Sequence, residues 1–236
     1  MKAVLWIVGV LVVLAGAAYG GRVYATRTMT TRAVTPEPLG ATTPASVGIP
    51  FTRVAVQSGD RTLIGWWVRA EADSGTSAPA VLFFHGNSSS ISDYVNLQRL
   101  FYRQGISSLV FDYSGFGASG GAPSLANAIA DAGPMAKAFS DSAGAQARKV
   151  AMGSALGATV LLQAIDSVQP HVSGIVIEGV DASVLQSAVR SGRVPSYLER
   201  FVEDIADNVQ AAARVRVPVL AVHSYRDNRT PHADGQ

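Results

Sequence analysis

The sequence predicts a mostly parallel, doubly wound α/β sheet, and three observations carry that prediction. Short, wholly apolar runs alternate with helix-length segments, the pattern of a parallel sheet covered on both faces. Glycine-rich turns follow those runs, where such sheets build their sites. Nearly half of the 236 residues are apolar and only 15% are charged, enough to bury a core of ordinary domain size and too few for disorder.

The elements follow in chain order. Ala3 to Gly20 is an uncharged, mostly apolar run behind Lys2, about 27 Å long as a helix and close to a bilayer's hydrocarbon thickness. It reads either as an uncleaved membrane anchor or as a signal peptide with Ala15-Gly16-Ala17 as the small-residue cleavage pattern. Arg22, Arg27 and Arg32 follow it. Those arginines leave the orientation open, because they outnumber the positive charges ahead of the run. Residues 1–21 are therefore expected to be a leader or anchor, residues 22–50 a Thr/Pro/Ala-rich spacer, and residues 51–236 the folded domain. The destination is the membrane or the cell envelope.

Phe51 to Gln57 and Thr62 to Arg69 alternate apolar and polar residues around Ser58-Gly59-Asp60, a hairpin of two half-buried strands. After a Gly/Ser/Thr loop, Ala80 to Phe84 is a buried strand, Asp93 to Arg103 a helix, and Ser108 to Phe111 the next strand. Pro123 and Ser124 open a helix reaching about Phe139. Lys149 to Met152, Leu156 to Ile165 and Gly174 to Ile177 repeat strand, helix and strand. Ala182 to Ala213 is irregular, broken at Gly192-Arg193-Val194-Pro195, and Val217 to Val222 is the last strand. Val184, Leu185, Val189, Tyr197, Leu198 and Phe201 in the irregular stretch serve equally well as a pocket lining or as core.

Composition excludes several functions. There is no cysteine, so disulfides, thiolate zinc and a thiol nucleophile are out. The four histidines are scattered, without the i, i+4 pair of zinc hydrolases, and no metal or cofactor is expected. The net charge of +2 comes without a basic run, which leaves no footprint for nucleic acid. Nothing is repetitive, which argues against a fibrous envelope component.

The residues with chemistry lie just after the strands. His85-Gly86-Asn87-Ser88-Ser89-Ser90 is a turn whose glycine lets backbone amides face a reacting carbonyl oxygen. Next come Asp112-Tyr113-Ser114-Gly115-Phe116-Gly117-Ala118-Ser119-Gly120-Gly121, then Gly153-Ser154-Ala155-Leu156-Gly157, then His223-Ser224-Tyr225-Arg226-Asp227-Asn228-Arg229-Thr230-Pro231. This ordered set resembles the α/β-hydrolase superfamily, in particular its membrane-anchored serine hydrolase branch of esterases and thioesterases. The resemblance covers residues 51–236. Ser114 stands where related chains often carry Arg.

The resemblance implies a Ser-Asp-His triad acting on a small acyl ester, thioester or amide. At the nucleophile elbow, small residues flank the nucleophile at two positions before and two after, because a strand and a helix converge there. Gly153 and Gly157 set that register, and the residue between them is Ala155, which has no attacking atom. Taking Ser154 instead would place Met152 and Leu156 at the flanks, both too bulky. Asp227 matches the triad acid, with Glu178 and Asp181 as fallbacks; a capping aspartate in a polar turn is the plainer reading of Asp227. The oxyanion amides would be those of Asn87 and Leu156, supported by His85 and Gly86. The family's histidine follows one more strand and helix, and both are expected to be missing here. His85, His171, His223 and His232 do not fit the role. The expectation is a catalytically silent hydrolase scaffold, or alternatively a membrane-tethered module that binds a lipid or a protein.

Overall fold

A computed structural model describes residues 2–70, 78–227 and 230–235. Seven strands form one sheet in the order β1-β2-β4-β3-β5-β6-β7. The two-residue turn at Gly59-Asp60, with Gly59 at φ 61°, closes β1 (Thr52–Ser58) onto β2 (Arg61–Val68) as the antiparallel hairpin the alternation predicts. β2 is more buried than its pattern suggests, with Leu63 to Val68 all inside. Its other edge pairs antiparallel with β4 (Ser107–Asp112), which makes it an interior strand. β3 (Ala80–Phe84), β4, β5 (Lys149–Ser154), β6 (Gly174–Glu178) and β7 (Val219–Val222) are mutually parallel.

Helices cover both faces, as a parallel sheet requires. Behind the hairpin, α2 (Val95–Arg103) and the 3-10 turn Ile91–Tyr94 close over Trp66, Phe83 and Val110. On the other face, α3 (Leu125–Ala143) and α4 (Leu156–Gln163) close over Leu82, Phe84, Leu109 and Phe111. Ser124 caps α3 by accepting the Asn127 N–H at 3.0 Å. α5 (Ile165–Val168) continues α4 after a break at Ala164. The irregular stretch resolves into α6 (Val184–Arg190), a 3-10 turn at Ser196–Phe201 and α7 (Asn208–Ala212). Gly192, at φ 73°, makes the predicted break, but the second piece is 3-10 rather than α-helical. Leu185 is core and Tyr197 is 71% exposed, so that segment divides between the two readings; the side chains of Leu198 and Phe201 lie outside the described residues.

The amino-terminal helix α1 (Lys2–Arg32) runs eleven residues past the expected boundary at residue 21. No proline or other strong breaker stands between Arg22 and Arg32, and Pro36 is the first. Its stretch Leu5–Thr26 is long and apolar enough to cross a membrane. The spacer that follows packs onto the domain, because Val34, Pro44 and Ile49 are buried.

Candidate functional site

The carboxyl ends of β3, β4, β5 and β6 gather four turns into one place. After β5, Ala155 has φ 51° and ψ −113°, a conformation that costs an L-residue about 1–3 kcal/mol. Its neighbours enforce it. A Cβ on Gly153 would come within 2.6 Å of the Gly157 carbonyl oxygen, and one on Gly157 would run into the Phe84 carbonyl. The Ala155 N–H is held by the Glu178 carbonyl at 2.9 Å across the parallel β5–β6 pair. Ser154, by contrast, is the last residue of β5. α4 starts at Leu156; the Ala158 and Thr159 amides already donate to the Ala155 carbonyl at 3.1 and 3.2 Å, whereas those of Leu156 and Gly157 precede the helix's first acceptor.

The turn after β3 is braced on every side. The Tyr113 hydroxyl donates to the His85 carbonyl at 2.9 Å, and the Gly86 N–H donates to the Tyr94 hydroxyl at 3.1 Å. A side chain on Gly86 would meet the Ser154 carbonyl at 3.7 Å, so the His85 turn and the elbow lie against each other. Ser88 takes a positive φ of 53°. The Asn87 side chain faces away from α4. Its oxygen accepts the Thr35 N–H at 2.6 Å and its amide donates to the Ala33 carbonyl at 3.1 Å, while the Ser88 N–H donates to the Thr35 carbonyl at 3.0 Å. The turn after β3 is thus tied to the segment that leaves α1.

His85 is fully buried, with Nδ1 2.8 Å from the Gly86 carbonyl, which places the ring proton on that nitrogen. Nε2 has no hydrogen-bond partner among the described residues and sits 3.8 Å from the Asp112 carboxylate. Burial depresses the His85 pKa to about 4 and raises that of Asp112 to about 6, so at neutral pH a neutral imidazole faces an ionised carboxylate and the two do not form an ion pair. Asp112 shapes the turn after β4. It accepts the Ile91 N–H at 2.9 Å and the Ala118 N–H at 3.0 Å, and Gly117, at φ 47°, packs its Cα against the carboxylate where a Cβ would collide. Beside it, Arg61 reaches from β2 to Ser114 Oγ at 2.8 Å and to buried Asp131 at 3.2 Å. A guanidinium thus occupies the neighbourhood of position 114 from a different strand.

The acid turn is looser. Asp227 accepts the Thr230 N–H at 2.9 Å, and Gly179 lies beside its other carboxylate oxygen; Asn228 and Arg229 lie outside the described residues. Of the fallback acids, Glu178 contributes its carbonyl to the elbow, while Asp181 pairs with Arg190 at 2.9 Å. His223 and His232 pack edge to face with ring centroids 5.8 Å apart, while His85 and His171 lie elsewhere. His171 precedes β6 at the opposite end of the sheet, His223 Nε2 is 3.0 Å from the Thr230 carbonyl, and His232 stacks on Tyr225. The structure therefore brings together His85, Gly86, Asn87, Gly153, Ala155, Leu156 and Gly157, with Asp227 reached through the β6 turn. The bracing roles of Tyr94, Tyr113 and the Asn87 side chain have no sequence signal, because each partner is remote in the chain or is backbone.

Residues 75–187 match the family model of serine aminopeptidases of the S33 type. An uncharacterized protein of Mycobacterium tuberculosis is 30% identical over 190 residues, 79% of this chain and 66% of that protein. An uncharacterized membrane protein of Saccharomyces cerevisiae is 27% identical over 144 residues, 60% of this chain and 50% of that one. The chain thus spans between half and just under two thirds of these relatives. Among solved structures, a Pyrococcus furiosus esterase superposes with a TM-score of 0.68 at 20% identity, covering 85% of this chain and 80% of that one, which is a likeness of fold.

Proposed function

We propose, from the premise that the chain belongs to the α/β-hydrolase superfamily, that it is a membrane-held acyl-hydrolase scaffold without catalytic turnover in this sequence. The observation that carries the reading is Ala155. It occupies the strained elbow between Gly153 and Gly157, where chemistry on an acyl ester, thioester or amide requires a hydroxyl nucleophile. The oxyanion amides of Asn87 and Leu156 and the acid Asp227 are the retained parts of that machinery. No histidine of this chain stands in the base's role. The long apolar helix and the membrane protein among the relatives support the attachment to a bilayer.

Retention of the strained shape without its nucleophile favours one second reading, a pocket kept to bind an acyl group rather than cleave it. Both readings meet the same experiment. The full chain in detergent is exposed to a fluorophosphonate and to a p-nitrophenyl acyl ester; neither covalent labelling nor turnover above a denatured control is expected. Ala155→Ser alone stays silent as well, because a serine needs a base to activate it. Turnover by the unaltered chain would overturn the proposal.

A further inference from the structure

The side chains of His85 and Asp112 are fully buried, and they open two different turns of the site. Each presents a lone pair to the other. The His85 Nδ1–H donates to the Gly86 carbonyl, so Nε2 is an acceptor. Asp112 Oδ1, 3.8 Å from Nε2, accepts the Ile91 N–H, and Oδ2 accepts that of Ala118. Those two bonds, with Gly117 packed against Oδ2, keep the carboxyl from turning away. Among the described residues no donor reaches Nε2, and a buried polar atom left in that state costs about 1–3 kcal/mol. One hydrogen between Nε2 and Oδ1 removes the cost.

The surroundings favour that hydrogen. From the 3-10 turn Ile91–Tyr94, the Asp93 carboxylate draws a proton toward both groups. The Tyr94 ring lies 6.0 Å from the imidazole and the Tyr113 ring 4.4 Å from it. Burial keeps the Tyr113 phenol protonated, so its bond to the His85 carbonyl does not change with acidification. Asp131 from α3 is paired with Arg61 from β2, and α4, packed on the His85 carbonyl, has no ionisable side chain. Burial itself disfavours a charged imidazole and a charged carboxylate alike.

We infer that His85 and Asp112 form a one-proton latch that closes on mild acidification and ties the turn after β3 to the turn after β4. The proton comes from solvent, bonds to Asp112 Oδ1 and is accepted by the lone pair of His85 Nε2. The pair passes from one negative charge to neutrality, and the Nδ1 proton stays on the Gly86 carbonyl. The gap shortens by about 1 Å, to the roughly 2.8 Å of a hydrogen bond donated by a hydroxyl. Nε2 is then occupied, so a second proton is kept out and the two groups titrate as one site. The Gly86-Asn87 turn, which lies against the elbow, is therefore held more firmly in mildly acid than in neutral solution. The latch does not depend on whether the elbow binds or cleaves an acyl group.

Nuclear magnetic resonance of the full chain in detergent, labelled at aspartate Cγ and at the histidine ring nitrogens, follows both partners from pH 7.5 to 4.5. The His85 Nε2 and Asp112 Cγ signals should move together, with one midpoint at about pH 6, while the Nδ1 signal holds still. Midpoints more than one pH unit apart, or an Nε2 signal that stays put while Asp112 titrates, overturn the latch. Hydrogen exchange, corrected for its intrinsic pH dependence, should be at least threefold slower across residues 86–90 at pH 5.5 than at pH 7.5. Residues 149–152 should show no such change. Equal or faster exchange at 86–90 in acid also overturns the latch. Asp112→Asn offers Nε2 an amide hydrogen at every pH, so the difference at 86–90 should vanish, and its persistence would count against the inference. Where that variant does not fold, the shared midpoint in the unaltered chain decides.

Discussion

The elbow after β5 and the acid turn after β7 are built in opposite ways. The elbow is wedged: two glycines touch backbone from β3 and α4, the following helix is buried from Gly157 to Leu162, and a positive φ is imposed on an alanine. The turn after β7 is held by local hydrogen bonds, from the Thr230 N–H to Asp227, from the Asp227 N–H to the Ser224 carbonyl and between His223 Nε2 and the Thr230 carbonyl, and it follows a strand whose four residues are all exposed. A turn fixed by backbone collisions keeps its shape whatever side chain it carries. A turn fixed by local hydrogen bonds depends on the side chains that make them. The comparison explains why the turn after β5 holds a positive φ even with an alanine at its apex.

That contrast can be broken most directly at Gly157. Gly157→Ala drives a methyl into the Phe84 carbonyl, where backbone cannot give way, and should cost at least about 4 kcal/mol, read as lost cooperative unfolding by urea in detergent. Retained stability would mean the elbow is not wedged.

Next in size is the buried pair beside the elbow. His85, lowered from 6.5 to about 4, binds a proton more readily when unfolded and makes stability rise with pH across that window. Asp112, raised from 3.8 to about 6, does the reverse, because the folded state holds its proton longer. The two slopes oppose each other between pH 4 and 6, so this pair leaves the unaltered protein nearly flat there. His85→Gln removes the rising limb, and stability should then fall by on the order of 3 kcal/mol as pH rises from about 4 to about 6. Urea midpoints at pH 4, 5 and 6 read the effect, and parallel profiles for the two proteins would refute it.

Smaller effects sharpen the comparison. Ala155→Gly relieves the positive φ and should stabilise by about 1 kcal/mol, an increase in melting temperature that a relaxed turn would not show. Asp227→Ala removes the bond to the Thr230 N–H and should cost about 1 kcal/mol, with the loss confined by hydrogen exchange to the turn after β7.

The same division runs through what could be read in advance. The elbow register was legible at Gly153 and Gly157 because its steric rule spans five consecutive residues. β3 and β4 were legible because burial on both faces leaves short, mostly apolar runs. Arg61 beside Ser114, 53 positions away, and Asn87 bonded to Ala33, 54 positions away, were not legible, since nothing local marks a side chain that reaches across the fold. The length of α1 was not legible because the first charge after Lys2 comes at Arg22 while helical geometry continues to Arg32, and charge marks where an apolar run ends rather than where a helix does.

By itself, then, the sequence determined the alternating α/β layout, the apolar amino-terminal span, the glycine-fixed turns and the alanine between two of them, because each is encoded in neighbouring residues. Only the tertiary structure decided that β2 is an interior strand, that His85 is a neutral group facing Asp112, and that the segment leaving α1 is bonded to the turn after β3. Those outcomes depend on which distant segments share a sheet edge or a buried volume, and that is set by packing the whole chain at once.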